Sequence, residues 1–183
     1  MEKYSRILCL DGQSEISTIV GNIPIRNISP GMKVLSYDIA NHKIVTDTVT
    51  AVAKSTHSRC ATVNFDGTSS LRMTLDHPLY VIRKGWCAVN TDGHGGMYGV
   101  QVESLEELDA CLLFINDELT STAVSRITVS DCSGVFYCLM TCNYHNFLAN
   151  GIVAHDVNLM RFSPEFLKEE GIEFQADLNL CSM

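Results

Sequence analysis

Read for its alternation of apolar and polar positions, the chain is a succession of short β-like runs broken by turn signals. From residue 16 to 90 the apolar and β-branched stretches recur as STIV, NIPIRNISPG and KVLSYDIANHKIVTDTVTAVAKS. Inside the last of these, polar DIANHK separates two apolar runs as a hairpin loop does. TDTVTAVA alternates with period two, which predicts a strand with one buried face. After CATVNF, the DGTSS segment predicts a second hairpin turn. SLEEL predicts a short helix with Ser104 as its cap, leading into a strand over DACLLF. VSRITVSD and GVFYCLMT read as the two strands of another hairpin. HNFLANGIVAHD reads as a turn flanked by β structure, with Asn150 and Gly151 suited to positive φ. In the tail, SPEFLKEEG predicts a helix opening at Ser163, with Pro164 in its first turn, and ending at Gly171. Residues 90–101 hold four of the twelve glycines and predict an exposed loop. Trp86, the lone tryptophan, is expected to pack against the sheet. With no heptads, solenoid period or low-complexity tract, the pattern predicts an all-β domain with many long-range pairings.

Composition narrows the function classes. A length of 183 residues suits one domain with a substantial core and short tails. The net charge of −8 and the scattered Lys and Arg leave no basic stripe to neutralise phosphates, so nucleic acid is not an expected partner. No apolar run approaches the roughly 20 residues of a membrane span, and MEKYSRIL lacks the apolar core of a signal peptide. A soluble monomer without cofactor is expected, its acidic surface serving solubility. Eight cysteines, at 9, 60, 87, 111, 132, 138, 142 and 181, are compatible with disulfides but show no paired CxxC spacing for structural zinc. A cysteine that acts as a nucleophile needs a free thiol, so mostly reduced cysteines are expected, with no role for those at 60, 87, 111, 132, 142 and 181.

Two segments far apart, CLDGQSEISTIVGNIPIRNISPGMKVLSYD and VFYCLMTCNYHNFLANGIVAHD, with TLDHPLYV between them, resemble the Hint domain shared by inteins, bacterial intein-like domains and hedgehog autoprocessing domains. The resemblance runs from Cys9 to Asp156. It implies a compact, horseshoe-like β fold with short helical segments, and a division into an N-terminal flank (1–8), a Hint domain (9–156) and a C-terminal flank (157–183). Near residues 90–101, where many inteins carry an endonuclease, this chain has no room for one.

The family's chemistry falls on specific residues here. Cys9 would attack the preceding carbonyl and turn the Leu8–Cys9 amide into a thioester; the plainer reading is a buried core cysteine. Thr74 and His77 match the family's T-x-x-H. His77 would protonate the leaving amine and Thr74 would hold the peptide bond. The two positions fall on opposite faces of a strand, so a bend near Asp76 is required. Cys138 stands where many inteins have Asp and hedgehog domains have Cys. A second thiol beside Cys9 can tune its protonation, accept the acyl group or trap it as a disulfide, or it is simply an apolar strand residue. His145 matches the C-terminal His that assists cleavage at the far junction, whereas Asn146 and Phe147 are expected to be structural. At His155 and Asp156 the chain departs from the family, whose members usually end in His-Asn followed by Cys, Ser or Thr. A carboxylate has no amide nitrogen to cyclise and Val157 cannot accept an acyl group, so C-terminal cleavage and ligation are expected to be impaired. The hedgehog position for an activating Asp falls near Lys54, and Asp47 offers no reason for promotion, so sterol transfer is not expected.

These residues give a first expectation of a self-cleaving, single-turnover domain that releases residues 1–8 to water, a thiol or an amine. Full splicing or double cleavage in a parent carrying Asn at 156 is the variant of that reading. A degenerate Hint fold acting as a binding module is its rival. Two others are inhibitory zinc on Cys9, His77, Cys138 and His155, and a cysteine protease, which would turn over added substrate.

Overall fold

The computed structural model describes residues 7–67, 70–92 and 100–181. Most of the glycine-rich 90–101 segment, and the tip of the DGTSS turn, lie outside the described residues. Within them the strands are β1 (Leu10–Asp11), β2 (Glu15–Thr18), β3 (Gly21–Pro24), β4 (Lys33–Asp38), β5 (Lys43–Phe65), β6 (Leu71–Met73) and β7 (Leu79–Val81). They continue with β8 (Gly85–Ala88), β9 (Glu103–Ser104), β10 (Ala110–Ile115), β11 (Glu118–Thr141), β12 (Asn146–Ala149), β13 (Ile152–His155) and β14 (Glu173–Ala176). One α-helix, α1 (Pro164–Glu169), lies in the tail. The class is all-β, as expected, and among the described residues no helix is long and apolar enough to cross a membrane.

Two strands organise the molecule. β5 has 23 residues and β11 has 24, and they pair antiparallel from Val124–Phe65 to Thr141–Val49. A straight strand of that length would run roughly 75 Å, well beyond the roughly 40 Å diameter of a compact chain of this size. The pair therefore has to coil, and its register shifts between Val124 and Arg126, Asp131 and Gly134, and Met140 and Thr141 are the places where bulges can bend it.

The hairpin expected at DIANHK is present, with Asp38 opposite Lys43 and His42 in the left-handed region at φ 52°. The Asn150–Gly151 turn joins β12 to β13 with φ of 49° and 78°. A Cβ on Gly151 would sit 2.5 Å from the Phe114 carbonyl oxygen, so glycine is required there by space as well as by conformation. Ser163 caps α1 by accepting from the Phe166 N–H at 3.1 Å, and Gly171 stops it at φ 66°.

Three expectations are corrected. VSRITVSD and GVFYCLMT form no hairpin: the polar SDCSG stretch is absorbed as a bulge because β5 runs unbroken alongside and keeps both halves paired. SLEEL forms no helix. Glu103 and Ser104 pair parallel with Cys87 and Ala88, and Asp109 accepts from the Glu106 N–H at 2.8 Å, so the few residues that remain cannot nucleate one. TDTVTAVA is buried on both faces from Asp47 to Ala51. Its polar members are satisfied there: Thr50 donates to the Met140 carbonyl at 3.1 Å, and Asp47 accepts from the Asn143 and Tyr144 N–H groups at 2.9 and 2.8 Å.

The tail takes up an edge of β5. β14 pairs with β5 from Glu173–Lys54 to Ala176–Ala51, and a Cys142–Cys181 disulfide fastens the end of the tail to the start of the β11–β12 connection. Two cysteines expected to have no role therefore hold the tail, while the other six are free. A large apolar cluster fills the body of the fold around Ile16, Val34, Leu71 and Phe147. A second cluster lies under the tail, where Val157, Leu159, Leu167 and Ile172 close over Ile7, Leu8, Cys9 and Cys138.

Candidate active site

The site begins where β1 enters the sheet. Leu10 pairs with Tyr137 and Asp11 with Phe136, which sets Cys9 alongside Cys138 one step further along the same antiparallel ladder. Cys9 is fully buried and Cys138 nearly so. The Cys9 N–H donates to Thr74 Oγ1 at 3.2 Å, and the Thr74 N–H donates back to the Cys9 carbonyl at 2.9 Å. Thr74 thus holds the nitrogen of the Leu8–Cys9 bond through its hydroxyl and the Cys9 carbonyl through its own N–H. Leu75 and Asp76 then form the turn that geometry demanded, closed by the His77 N–H on the Thr74 carbonyl at 3.2 Å. It returns His77, 1% exposed, to the interior at the head of β7.

Two further residues reach Cys9 from β5. Ser55 Oγ lies 3.7 Å from Cys9 Sγ, and His57 Nε2 lies 2.7 Å from Ser55 Oγ. Two residues apart on a strand, both side chains leave the same face. The His57 ring rests edge-on against Phe136, with centroids 5.4 Å apart. Sequence reasoning stopped one residue short, at Lys54, whose amine is instead paired with Glu173 of the tail at 2.9 Å. The legible signal was STHS, a hydroxyl and an imidazole at same-face spacing.

Burial pushes the Cys9 thiol up, but hydrogen bonds from Cys138, His57 and Ser55 and the charge of His57 outweigh it, bringing the pKa from 9.0 to about 6. Burial and the adjacent Cys9 push Cys138 well above the ordinary thiol range. The surroundings of the pair thus favour the thiolate on Cys9, with the proton kept on Cys138.

The other end of the matched region arrives on the same strand. The Val157 N–H donates to the Leu139 carbonyl at 3.0 Å, two residues from the partner of Leu10. Asp156 is buried and accepts from the Thr141 N–H at 2.9 Å and Thr141 Oγ1 at 3.1 Å through one carboxylate oxygen. That oxygen also faces His145 Nδ1 at 3.5 Å, and this contact raises the His145 pKa. His155 Nδ1 donates to the Asp156 carbonyl at 2.6 Å. Trp86, expected as a packing anchor, meets the His155 ring edge-on at 4.6 Å and so orients it. Asn146 is structural: it accepts from the Tyr37 N–H at 2.7 Å and donates to the Tyr37 carbonyl at 2.9 Å and the Tyr144 carbonyl at 2.8 Å. Asp47, by holding residues 143 and 144, fixes the chain just before His145, a role its position in sequence did not disclose.

The zinc set of Cys9, His77, Cys138 and His155 is not gathered: among the described residues no three His, Cys, Asp or Glu side chains meet in a metal-binding arrangement. His155 is turned away to the Asp156 carbonyl and Trp86. A cavity of 470 Å³ lined by Glu15, Thr18, Asn116 and Asn150 includes none of these residues; Cys9 and Cys138 lie instead within the second apolar cluster.

The fold has close relatives in shape. It superposes on a DnaB intein from Synechocystis sp. with a TM-score of 0.66 at 16% identity, covering 82% of this chain and 99% of that one. It superposes on a bacterial intein-like domain from Clostridium thermocellum with a TM-score of 0.66 at 18% identity, covering 83% and 100%. For the PabCDC21-1 intein the TM-score is 0.66 at 20% identity, covering 81% and 98%. No curated protein matches the chain by sequence. The sequence profile of the intein splicing domain matches residues 8–156, which spans both ends of the site and most of the chain. The chain belongs to the intein splicing domain family, whose members act on the polypeptide that flanks them.

Proposed function

We propose that the chain cleaves itself at Leu8–Cys9 through an N-to-S acyl shift. Cys9 Sγ attacks the Leu8 carbonyl carbon, the C–S bond forms and the C–N bond breaks. The nitrogen takes a proton from His77 and becomes the free α-amine of Cys9. Water, a thiol or an amine then takes the acyl group, releasing residues 1–8 or whatever natural flank precedes Cys9, once per molecule. Thr74 holds the nitrogen and the Cys9 carbonyl while this happens. The observation that carries this reading is the paired Cys9–Thr74 hydrogen bonds around the scissile nitrogen, beside a thiol whose surroundings favour the thiolate.

At the far junction the proposal assigns no step. A carboxylate cannot cyclise as an Asn amide does, and Val157 offers no heteroatom. The division into flank 1–8, domain 9–156 and flank 157–183 is retained on that basis, with the second flank folded back on the domain. A second reading, full splicing or double cleavage in a parent with Asn at 156, is favoured by one observation: His155 already donates to the carbonyl such an amide would attack, at 2.6 Å.

The test is intact mass against time at neutral pH with hydroxylamine. Hydroxylamine is chosen because a thiol would also open Cys142–Cys181. Loss of residues 1–8, leaving a species that starts at Cys9 and absent from Cys9→Ala, is the expected result. Equal loss from Cys9→Ala, or an unchanged mass in the native chain, rejects the mechanism, and the latter favours a binding module without chemistry.

A further inference from the structure

A Cys9 thiolate at rest has given its proton to some group, and the motif residues are otherwise engaged. In the proposed route Thr74 and His77, from the β6–β7 turn, serve the nitrogen. Cys138, on β11, keeps its proton and donates to Cys9. From the tail, Val157, Leu159, Leu167 and Ile172 enter the cluster around Cys9. Asp156 faces Cys138 and is taken up by Thr141 and His145. On β5, in contrast, an unbroken chain leads outward: Cys9 Sγ to Ser55 Oγ at 3.7 Å, then Ser55 Oγ to His57 Nε2 at 2.7 Å. Ser55 is 4% exposed and His57 is half-buried, so the chain starts inside the apolar cluster around Cys9 and ends at a partly exposed imidazole.

Resting on the acyl-shift reading, we propose that Ser55 and His57 form a proton relay that deprotonates Cys9, with His57 as the general base. Ser55 takes the thiol proton on Oγ as it passes its own to His57 Nε2. The thiolate then adds to the Leu8 carbonyl. The nitrogen leaves with a proton from His77, so His57 ends protonated and His77 neutral, and exchange with water restores both. Ser55 then donates to the sulfur while His57 donates to Ser55, which stabilises the thiolate it has made. Ser55 touches the reacting sulfur; His57 acts through it. One turnover requires one deprotonation, which a side chain at the edge of the solvent can supply without opening the site.

The experiment follows the Cβ chemical shift of Cys9 in isotopically labelled protein against pH, beside the hydroxylamine cleavage rate, in the native chain and in His57→Gln, His57→Ala, Ser55→Ala and Ser55→Thr. Cys9 is expected to titrate near pH 6 in the native chain. In His57→Gln and Ser55→Ala the midpoint is expected to rise by about one to two pH units. Cleavage at neutral pH should fall by about 2- to 10-fold and recover as the pH rises. Ser55→Thr, which keeps the hydroxyl, should behave as native, and added imidazole should partly rescue His57→Ala. Unchanged midpoints and rates in His57→Gln overturn the relay, even where cleavage still depends on Cys9. A midpoint that moves as expected in a chain that never cleaves upholds the relay as the thiol's base and removes the acyl-shift reading instead. A thermal melt on each variant confirms that a lost signal is not lost fold.

Discussion

Replacing Cys181 by Ser should destabilise the whole domain and not merely free its last residues. Cys142 and Cys181 are 39 residues apart, and closing a loop of that length removes about 4 kcal/mol of chain entropy from the unfolded state at 25 °C. The tail between them is not an appendage. Leu167 and Ile172 are buried in the cluster that encloses Cys9, and β14 adds four residue pairs to β5. Opening the bridge should therefore weaken the same cooperative unit that unfolds with the sheet. For a chain of this length about 4 kcal/mol corresponds to a fall in Tm of roughly 8–16 °C. The assay is calorimetry of the oxidised native chain and of Cys181→Ser, each with and without a phosphine reductant. The reductant should lower the native Tm to that of the variant and leave the variant unmoved. A fall of less than about 2 °C, or a variant that still responds to the reductant, would refute the claim that the bridged tail is part of the folding unit.

Three further outcomes are expected. Asp156→Asn retains an oxygen for Thr141 and supplies the missing amide, so cleavage after residue 156 should appear; Cys142–Cys181 will keep the freed tail attached, and its release is read by mass only after reduction. Should reduction release nothing, the far junction is blocked by something besides the carboxylate. The lowered Cys9 pKa also makes stability depend on pH. A depressed folded pKa adds stability that is complete above the unfolded thiol's 9.0 and lost as pH falls through about 6. The raised Cys138 pKa acts with the opposite sign at higher pH, costing stability once the unfolded thiol ionises. Urea midpoints should rise from pH 6 towards 9, and the slope should vanish in Cys9→Ala; a variant with the native slope assigns the effect elsewhere. Finally, Gly151→Ala must place a Cβ 2.5 Å from the Phe114 carbonyl at φ 78°, and should cost about 3 kcal/mol by thermal melt. A loss under about 0.5 kcal/mol would mean that the turn can move.

The features legible in the sequence were those written into neighbouring residues. Asn150–Gly151, the polar loop before His42, and Ser163 followed by Pro164 each carry their own backbone geometry, and each was found where it was expected. The Thr74–His77 spacing even demanded its own turn, because two side chains three apart cannot serve one site from a straight strand. The readings that failed depend on a partner strand. SDCSG looks like a turn until β5 is laid alongside it, and TDTVTAVA looks half-exposed until β11 and the chain at residues 143 and 144 satisfy its polar members. The Cys142–Cys181 pairing is of the same kind, since spacing does not determine which cysteines meet. Ser55 and His57 were overlooked because no motif marks them; only the register of β5 against β11 brings them to Cys9.

The same register brings the two ends of the matched region to one strand. Leu10 pairs with Tyr137 and Val157 donates to Leu139, so the residues just past Cys9 and Asp156 hang from β11 within one pleat of each other. In the proposed route an acyl group raised on Cys9 would lie beside the residue at position 157. In this chain that residue is Val157, fully buried and without a heteroatom, under a tail held by a β-strand and a disulfide. In the proposed route the acceptor position is therefore filled by packing, and the acyl group is left to water or to a small nucleophile. The proposed relay through His57 fits that arrangement, because it carries the proton along β5 to a half-buried imidazole.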